Sequence, residues 1–212
     1  PTGEIIWSGA NVLKNSTGYN LTQLMVGSEG TLGVITKIVF KLVPLPTKDI
    51  TMLVPFSSAE KACEAVSSVF RAGITPSALE FMERDAIDWT LKYSDVEMQI
   101  HDNVKAHLLV EVDGNDMELL YKDCEKIAEV MEGFECGEIL LADSESQKEQ
   151  LWKLRRVIGE AVKANSVYKE EDTVVPRAEL PKLLKGVKAI GKAYGFKSIC
   201  YGHAGDGNLH IN

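Results

Sequence analysis

Two histidines close to the end of the chain are the residues best suited to bind a metal ion. His203 and His210 lie in the string Tyr201-Gly-His-Ala-Gly-Asp-Gly-Asn-Leu-His-Ile-Asn212. The Asp-Gly pair in this string is a strong signal for a chain reversal, which would bring two strands together. Side chains alternate along a strand, so Asn208, His210 and Asn212 are expected to share one face.

This cluster has two interpretations. Imidazole is the commonest protein ligand for metals, and two histidines around a glycine-rich bend fit a metal site or a catalytic edge. A catalytic zinc ion normally takes three protein ligands, which is more than this pair supplies. The alternative is that both histidines lie at the surface and hydrogen-bond to nearby carbonyl groups. The residues by themselves leave both interpretations open.

An arginine on a long predicted helix could bind a carboxylate. The helix is expected to begin after the N-cap Ser144 and to cover about residues 145–164. Helical spacing predicts that its buried stripe consists of Leu151, Leu154, Ile158, Ala161 and Val162. Arg155 lies beside this stripe, where a guanidinium is suited to a bidentate contact with a substrate carboxylate. The alternative is an ordinary ion pair between Arg155 and an acidic neighbour at the domain surface.

A third candidate is the glycine-rich segment Gly27-Ser-Glu-Gly-Thr-Leu-Gly33, between two predicted strands. Glycines at this spacing allow positive φ angles and let a ligand approach the backbone, whose N–H groups can bind an anion. The spacing differs from the dinucleotide-binding fingerprint, and no helix is predicted after it. The alternative is a tight connection between strands in which glycine serves the backbone geometry alone.

Composition and charge exclude several classes of protein. Of the 212 residues, 45% are hydrophobic and 25% are charged, which is typical of a globular protein and not of a disordered chain. The net charge of -8 argues against binding nucleic acid through a basic surface. No apolar run is long enough for a transmembrane helix. The four cysteines are scattered, which indicates reduced thiols in a cytoplasmic protein rather than a disulfide framework.

The pattern of the chain changes at Pro44-Leu-Pro46, which we interpret as a domain boundary. The first domain, residues 1–45, is rich in glycine and β-branched residues, and strands are predicted at 24–26 and 34–40. The chain starts without an initiator methionine and stops inside an alternating run. We therefore expect a piece of a longer protein, with unpaired strands in residues 1–45 through which copies could associate.

The second domain, residues 46–212, has the pattern of an α+β fold. Strand–helix–strand is predicted twice, first over about residues 49–82 and again over 106–142. This arrangement is typical of ferredoxin-like domains, which have an antiparallel sheet with helices on one face. The helix at 145–164, a further helix at about 181–195 and a final strand pair complete the prediction.

Five strings, taken in order, resemble the flavin-linked 2-hydroxy acid dehydrogenases. This family includes glycolate oxidase, D-lactate dehydrogenase and D-2-hydroxyglutarate dehydrogenase, and belongs to the vanillyl-alcohol-oxidase-type flavoproteins. The strings are NSTGYNL from Asn15, GSEGTLGVIT from Gly27, LWKLR from Leu151, EDTVVPR from Glu171 and GHAGDGNLH from Gly202. The resemblance implies that residues 1–45 are the end of a FAD-binding domain and that the rest is the substrate-capping domain.

The resemblance also implies roles for individual residues. His203 and His210 would bind a divalent metal, typically zinc. Arg155 would hold the substrate carboxylate, and Asn212 would lie beside the substrate. The residues implied at the flavin are Gly27, Ser28, Glu29, Gly30, Thr31, Gly33 and Val34. The implied reaction oxidises a 2-hydroxy acid: the metal lowers the pKa of the hydroxyl, and hydride passes from the α-carbon to FAD.

The chain also departs from the family's pattern. The family's third metal ligand, a glutamate, and the histidine proposed as its base are expected beyond residue 212, so this piece alone is expected to be inactive. The acidic run Glu170-Glu-Asp172 would repel a second carboxylate, which favours a small monocarboxylate such as glycolate or D-lactate. The electron acceptor is unknown. The alternative function is a ferredoxin-like ligand-binding or interaction module without catalysis.

Overall fold

The computed structural model describes residues 2–212. It divides into two compact units, one up to residue 44 and one from residue 45 onward. The division falls within the proline-containing string at which the sequence predicts a boundary. What each unit represents in a longer protein stays a prediction.

The first unit has one short helix, α1 (Leu21–Met25), and no strand among its described residues. Asn20 begins α1, where its side chain accepts a hydrogen bond from the backbone N–H of Gln23 at 3.0 Å. The strands predicted at 24–26 and 34–40 are therefore not formed. A strand requires a hydrogen-bonded neighbour, and residues 2–44 do not provide one. Self-association of copies stays a prediction, although residues 2–44 form no strand through which two copies could pair.

The second unit is built on a seven-stranded sheet whose neighbouring strands all pair antiparallel. Its elements in chain order are β1 (Lys48–Phe56), α2 (Ala59–Arg71), β2 (Ala78–Glu83), α3 (Arg84–Tyr93), β3 (Ala106–Gly114), α4 (Met117–Glu132), β4 (Leu140–Leu141), α5 (Glu145–Asn165), β5 (Glu171–Val174), α6 (Leu180–Tyr194), β6 (Cys200–Gly202) and β7 (Asn208–Ile211). The strand order is β4-β1-β3-β2-β6-β7-β5. The first four strands form the ferredoxin-like part, which β6, β7 and β5 extend. The predicted α+β class with an antiparallel sheet is confirmed.

Helices cover both faces of this sheet, whereas the sequence predicts helices on one face. α2 and α4 pack on one face against side chains of β1 that include Met52 and Val54, and α6 packs beside α2 in the same core. α3 and α5 pack on the other face with Leu53, Met82 and Leu109. The central strands are apolar on both sides, so each face needs its own cover to keep these side chains out of water.

Several element boundaries agree with the sequence to within a residue or two. α5 begins after Ser144, whose hydroxyl accepts a hydrogen bond from the N–H of Gln147 at 3.3 Å. α6 ends at Gly195, which has a φ of 73°. β4 is shorter than predicted, since only Leu140 and Leu141 pair with β1. The sequence does not predict β5, whose four residues become a strand by pairing with β7.

Two expectations from composition can be compared with the structure. The four cysteines are free thiols, and Cys63, Cys124 and Cys200 are buried. Among residues 2–212, no helix has the length and apolar character that crossing a bilayer would need.

Candidate active site

The loop between β6 and β7 brings the two histidines together. The chain turns here through a short 3-10 helix (Ala204–Asp206) and then Gly207. Gly207 has a φ of 76°, and a Cβ atom at this position would lie 2.0 Å from the carbonyl oxygen of Val175. Only glycine fits at this point, which lets the loop pack directly against the segment that follows β5.

His203 directly follows β6, and His210 lies inside β7. Their imidazole rings are 5.9 Å apart between centroids and nearly perpendicular, at 74°. The side chain of His203 is 54% exposed, whereas that of His210 is only 20% exposed. The structure therefore places the two predicted metal ligands side by side, with His203 on the solvent side of the pair.

Arg155 reaches the same cluster from α5 and is buried. Its Nε donates a hydrogen bond to Oε2 of Glu80 at 2.8 Å, and its guanidinium carbon lies 5.4 Å from the ring centroid of Tyr201. Its Nη2 is buried and has no hydrogen-bond partner in the described part of the chain. An acidic partner for Arg155 thus exists, as the alternative interpretation expects, but it is buried instead of lying at the surface.

Glu80 connects the arginine to His203, and the sequence does not predict it as a site residue. Its second oxygen, Oε1, lies 2.8 Å from Nδ1 of His203. A signal was present: Glu80 lies between Leu79 and Phe81 in a buried strand, where an unpaired charge is rare. The identity of its partners could not be predicted, because they come from α5 and from the loop after β6.

Tyr201 is a second site residue whose role the sequence does not indicate. It lies opposite His210 in the register of β6 and β7, and the two rings stack with centroids 5.3 Å apart. Burial, and after it the charge of Glu170, raises the pKa of the Tyr201 phenol above its ordinary value. Tyr201 is therefore a neutral aromatic ring between His210 and the guanidinium of Arg155.

The acidic run predicted from the sequence borders His210. Asp172 on β5 is the register partner of His210 on β7. Nδ1 of His210 lies 3.1 Å from Oε1 of Glu170 and 3.7 Å from Oδ1 of Asp172. The structure therefore places two carboxylates at the edge of the cluster, next to one of the predicted metal ligands.

Asn212 closes the strand pair beneath this cluster. Its backbone exchanges two hydrogen bonds with Ile199, at 2.7 and 3.0 Å. Both polar atoms of its side chain are buried and make no hydrogen bond of good geometry within residues 2–212, although the amide is close enough to the Tyr201 hydroxyl to act on the pKa of that phenol. An unpartnered buried amide is costly, so a ligand that bonded to Asn212 would remove that cost. Asn208, at the start of β7, instead donates to Oδ1 of Asp172 at 2.6 Å.

The donor atoms of this cluster fit a divalent metal in part. Nδ1 of His203 is hydrogen-bonded to the carboxylate of Glu80, whereas Nδ1 of His210 lies 3.1 Å from Oε1 of Glu170 without forming a hydrogen bond in the described part of the chain. For His203 this leaves Nε2 as the nitrogen that could bind a metal, since a carboxylate behind a ligating histidine is the usual arrangement in protein metal sites. The described residues contain no group of three or more His, Cys, Asp or Glu side chains placed to hold one ion. His203 and His210 are therefore the two side chains of this cluster that could bind a metal, and metal binding stays a prediction.

The glycine-rich segment of the first unit has the backbone conformations that its sequence predicts. Gly27 and Gly30 have φ angles of 79° and 76°, and Glu29 between them has 49°. A Cβ atom on either glycine would meet nothing within 4 Å in the structure. The glycines are therefore needed for backbone conformation rather than for internal packing, and they leave the backbone open to approach by a ligand.

Hydrogen bonds inside this segment hold its turns together. The N–H of Ser28 donates to the carbonyl of Met25 at 3.2 Å, and both the N–H and the hydroxyl of Thr31 donate to the carbonyl of Ser28, at 2.9 and 2.6 Å. Gly33 lies against Met25, and Val34 is exposed. A contact between this segment and a flavin nucleotide stays a prediction for all of its residues.

Curated relatives align with the whole chain. The D-lactate dehydrogenase of Anaerostipes hadrus is 37% identical over 216 residues, which covers 100% of this chain and 46% of the relative. The glycolate oxidase subunit GlcD of Bacillus subtilis (strain 168) is 34% identical over 209 residues, which covers 98% of this chain and 44% of the relative. The chain thus spans about half the length of the curated relatives it matches.

The fold and the family agree with each other. A solved structure of alkyldihydroxyacetonephosphate synthase superposes with a TM-score of 0.65 at 16% identity, over 94% of this chain and 41% of that one, and so shows the same fold. The family described as "FAD linked oxidases, C-terminal domain" matches residues 45–212, which is the entire second unit. On this match the chain belongs to the FAD linked oxidases, through their C-terminal domain.

Proposed function

We propose that this chain is part of a flavin-dependent dehydrogenase or oxidase that acts on a 2-hydroxy acid. In this proposal residues 1–45 are the end of the FAD-binding domain, and residues 46–212 are the substrate-capping domain. The observation that carries the proposal is the convergence of Arg155, His203 and His210, which are linked through Glu80 and Tyr201 in one cluster. The names of the relatives, D-lactate dehydrogenase and glycolate oxidase, support the class of substrate.

Arg155 binds the substrate carboxylate. Its Nε is occupied by Glu80, so the carboxylate bonds to the outer edge of the guanidinium, where Nη2 is buried and unpartnered within residues 2–212. A hydrogen bond between two charged groups is stronger than one between neutral groups, and burial adds to its strength. Asn212 offers both a donor and an acceptor in the same region of the sheet, and we assign it a contact with the substrate.

His203 and His210 hold a divalent metal, with zinc as the metal we favour. A bound metal would lower the pKa of the substrate's 2-hydroxyl group, a base from outside residues 2–212 would take the hydroxyl proton, and FAD would accept hydride from the α-carbon. The segment Gly27–Val34 is assigned to the flavin nucleotide, in keeping with its open backbone and positive φ angles. Tyr201 stacks on His210 and keeps that imidazole in a fixed orientation.

The charge around the cluster favours a monocarboxylate. Arg155 is a buried cation, but its Nε–H group already donates to the carboxylate of Glu80. Glu170 and Asp172 add negative charge beside His210. A second carboxylate on the substrate would meet this negative charge in a partly buried setting, where repulsion is weakly screened. Glycolate and D-lactate carry one carboxylate and avoid this repulsion.

The test is flavin reduction in the full-length protein that contains this chain. D-lactate or glycolate, added without oxygen, is expected to bleach the flavin absorbance, and D-malate is expected to act more slowly at equal concentration. This half-reaction requires no electron acceptor, so the unknown acceptor does not affect the result. The 212-residue chain on its own is expected to be colourless and inactive.

Failure of every 2-hydroxy acid to reduce the bound flavin would refute the proposal and favour a ligand-binding module without catalysis. Stoichiometric flavin bound to the 212-residue chain would refute the assignment of residues 1–45 as only the end of the FAD-binding domain.

A further inference from the structure

Glu80 is the buried carboxylate that joins the arginine to one of the histidines. We propose that Glu80 is a positioning residue: it orients His203 for the metal and Arg155 for the substrate carboxylate at the same time. The inference rests on the proposed function. Glu80 lies on β2, which carries neither Arg155 nor His203, and it controls the geometry of both of these side chains.

The contacts of Glu80 use both of its oxygens. Oε1 lies 2.8 Å from Nδ1 of His203, and Oε2 accepts a hydrogen bond from Nε of Arg155 at 2.8 Å. The side chains of Glu80 and Arg155 are 8% and 10% exposed. The partners are distant in the sequence, by 123 residues for His203 and 75 for Arg155, so the carboxylate ties three elements together at one point.

Stability alone does not account for a charge at this position. Glu80 is aligned with Leu109 on β3, and β2 is otherwise apolar on this face, with Met82 in the core beside α3 and α5. Replacing a buried ion pair with apolar side chains is often neutral or stabilising, because desolvating the charges is costly. Apolar residues in place of both Glu80 and Arg155 would therefore suit the fold, whereas losing Glu80 alone would leave Arg155 buried without its charge partner and His203 without a carboxylate at Nδ1.

Glu80 determines which atoms of its partners face the ligands. A carboxylate at Nδ1 of His203 favours the form in which Nδ1 carries the proton, and this leaves the lone pair of Nε2 for a metal. The bond to Nε of Arg155 fixes the plane of the guanidinium and leaves the Nη atoms for the substrate. One carboxylate thus prepares the metal ligand and the carboxylate receptor together, with no contact to either ligand.

The test is Glu80→Gln in the full-length protein. An amide has one acceptor oxygen and one donor nitrogen, so it can satisfy Arg155 or keep the metal-binding form of His203, but not both. We expect zinc affinity, measured by titrating the metal-free protein without substrate, to fall by about 10- to 100-fold. If the amide oxygen turns to His203 instead of Arg155, zinc affinity is kept and the KM for D-lactate is expected to rise by about tenfold or more, since a small misplacement of a binding group is costly.

Glu83→Gln is the matched control. Glu83 lies on the same strand with its side chain 12% exposed, but it accepts hydrogen bonds from Nζ of Lys188 at 2.7 Å and from the N–H of Cys200 at 2.9 Å, outside the cluster. The control is expected to lose stability while keeping the wild-type zinc affinity and KM. In a His203→Ala background, Glu80→Gln is expected to cause no further loss of zinc affinity.

Wild-type zinc affinity and KM in Glu80→Gln would overturn the proposal, as would equal losses in Glu83→Gln. If Glu80→Gln does not fold, Glu80→Asp serves instead, because its carboxylate is one methylene too short to reach both partners. Wild-type values of both quantities in Glu80→Asp would also overturn the proposal. Failure of the proposed function is a separate result, seen when the wild-type protein binds zinc but no 2-hydroxy acid bleaches its flavin.

Discussion

His107 allows a quantitative prediction about how the stability of the second unit depends on pH. It lies on β3 with Pro55 and Met82 as its cross-strand neighbours, and it is 4% exposed. Its Nδ1 has no hydrogen-bond partner in the described part of the chain. Burial, and after it the positive charge of Arg84, lowers the pKa of His107 from 6.5 to about 4.

The direction of the effect follows from whether the folded or the unfolded chain binds the proton more tightly. Between 6.5 and about 4, the unfolded chain holds a proton on His107 that the folded chain does not hold. Stability is therefore complete above the unfolded pKa and falls as the pH is lowered through this window. The difference between the two pKa values corresponds to a loss of up to about 3 kcal/mol, with no further change below the folded pKa.

The perturbation is His107→Gln, which removes the titrating group and keeps a polar side chain of similar size. Urea unfolding, followed by the fluorescence of Trp89 and Trp152, measures the free energy of unfolding of both proteins at a series of pH values. The stability of the wild type relative to the variant should fall by about 3 kcal/mol from neutral pH to the lower end of the window. Burial raises the pKa of Glu83, but Glu83 titrates in both proteins. Its contribution therefore cancels when the two free energies of unfolding are subtracted. A difference that stays constant across this pH range would refute the reasoning.

Two further predictions concern the site and the loop that forms it. Arg155→Lys in the full-length protein should raise the KM for D-lactate by about tenfold to hundredfold, because an ammonium group cannot replace the guanidinium's fixed pair of bonds. Arg156→Lys, at the exposed neighbouring position, should leave it unchanged, and an equal rise in both would contradict the assignment of Arg155. Gly207→Ala should lower the free energy of urea unfolding by about 2–5 kcal/mol, since it combines a positive φ with a clash against Val175. Gly186→Ala, in α6 with nothing within 4 Å of the new Cβ, should raise it by up to about 1 kcal/mol, and a loss as large as that of Gly207→Ala would contradict the packing argument.

Much of the second unit could be predicted from local patterns. The spacing of apolar residues and the cap at Ser144 predict α5, and Gly195 predicts the end of α6. Alternation along Asn208–Ile211 predicts which side chains share a face of β7. These features depend on hydrogen bonds and side-chain directions within one turn or one strand, so the nearby sequence contains the information that they need.

The strands predicted at residues 24–26 and 34–40 did not form because strand formation, unlike a helix cap or a turn, does not depend on the nearby sequence alone. β-branched residues favour an extended backbone, but a strand exists only when a second segment accepts and donates its hydrogen bonds. β5 shows the converse, since its acidic residues give little local signal and β7 pairs with it nevertheless. Whether two strands pair depends on both segments, so the pairing cannot be predicted from the sequence of either segment alone.

The sequence by itself determined the kinds of residues available for chemistry, the faces of the helices and strands that carry them, and the family to which they are similar. Only the tertiary structure decided that Glu80 lies between Arg155 and His203, and that Tyr201 stacks on His210. The periodicity of a helix or strand specifies a direction relative to its own axis. The order and register of the sheet decide which distant side chain a given residue contacts. Burial of apolar surface on both faces of the sheet selects that order and register.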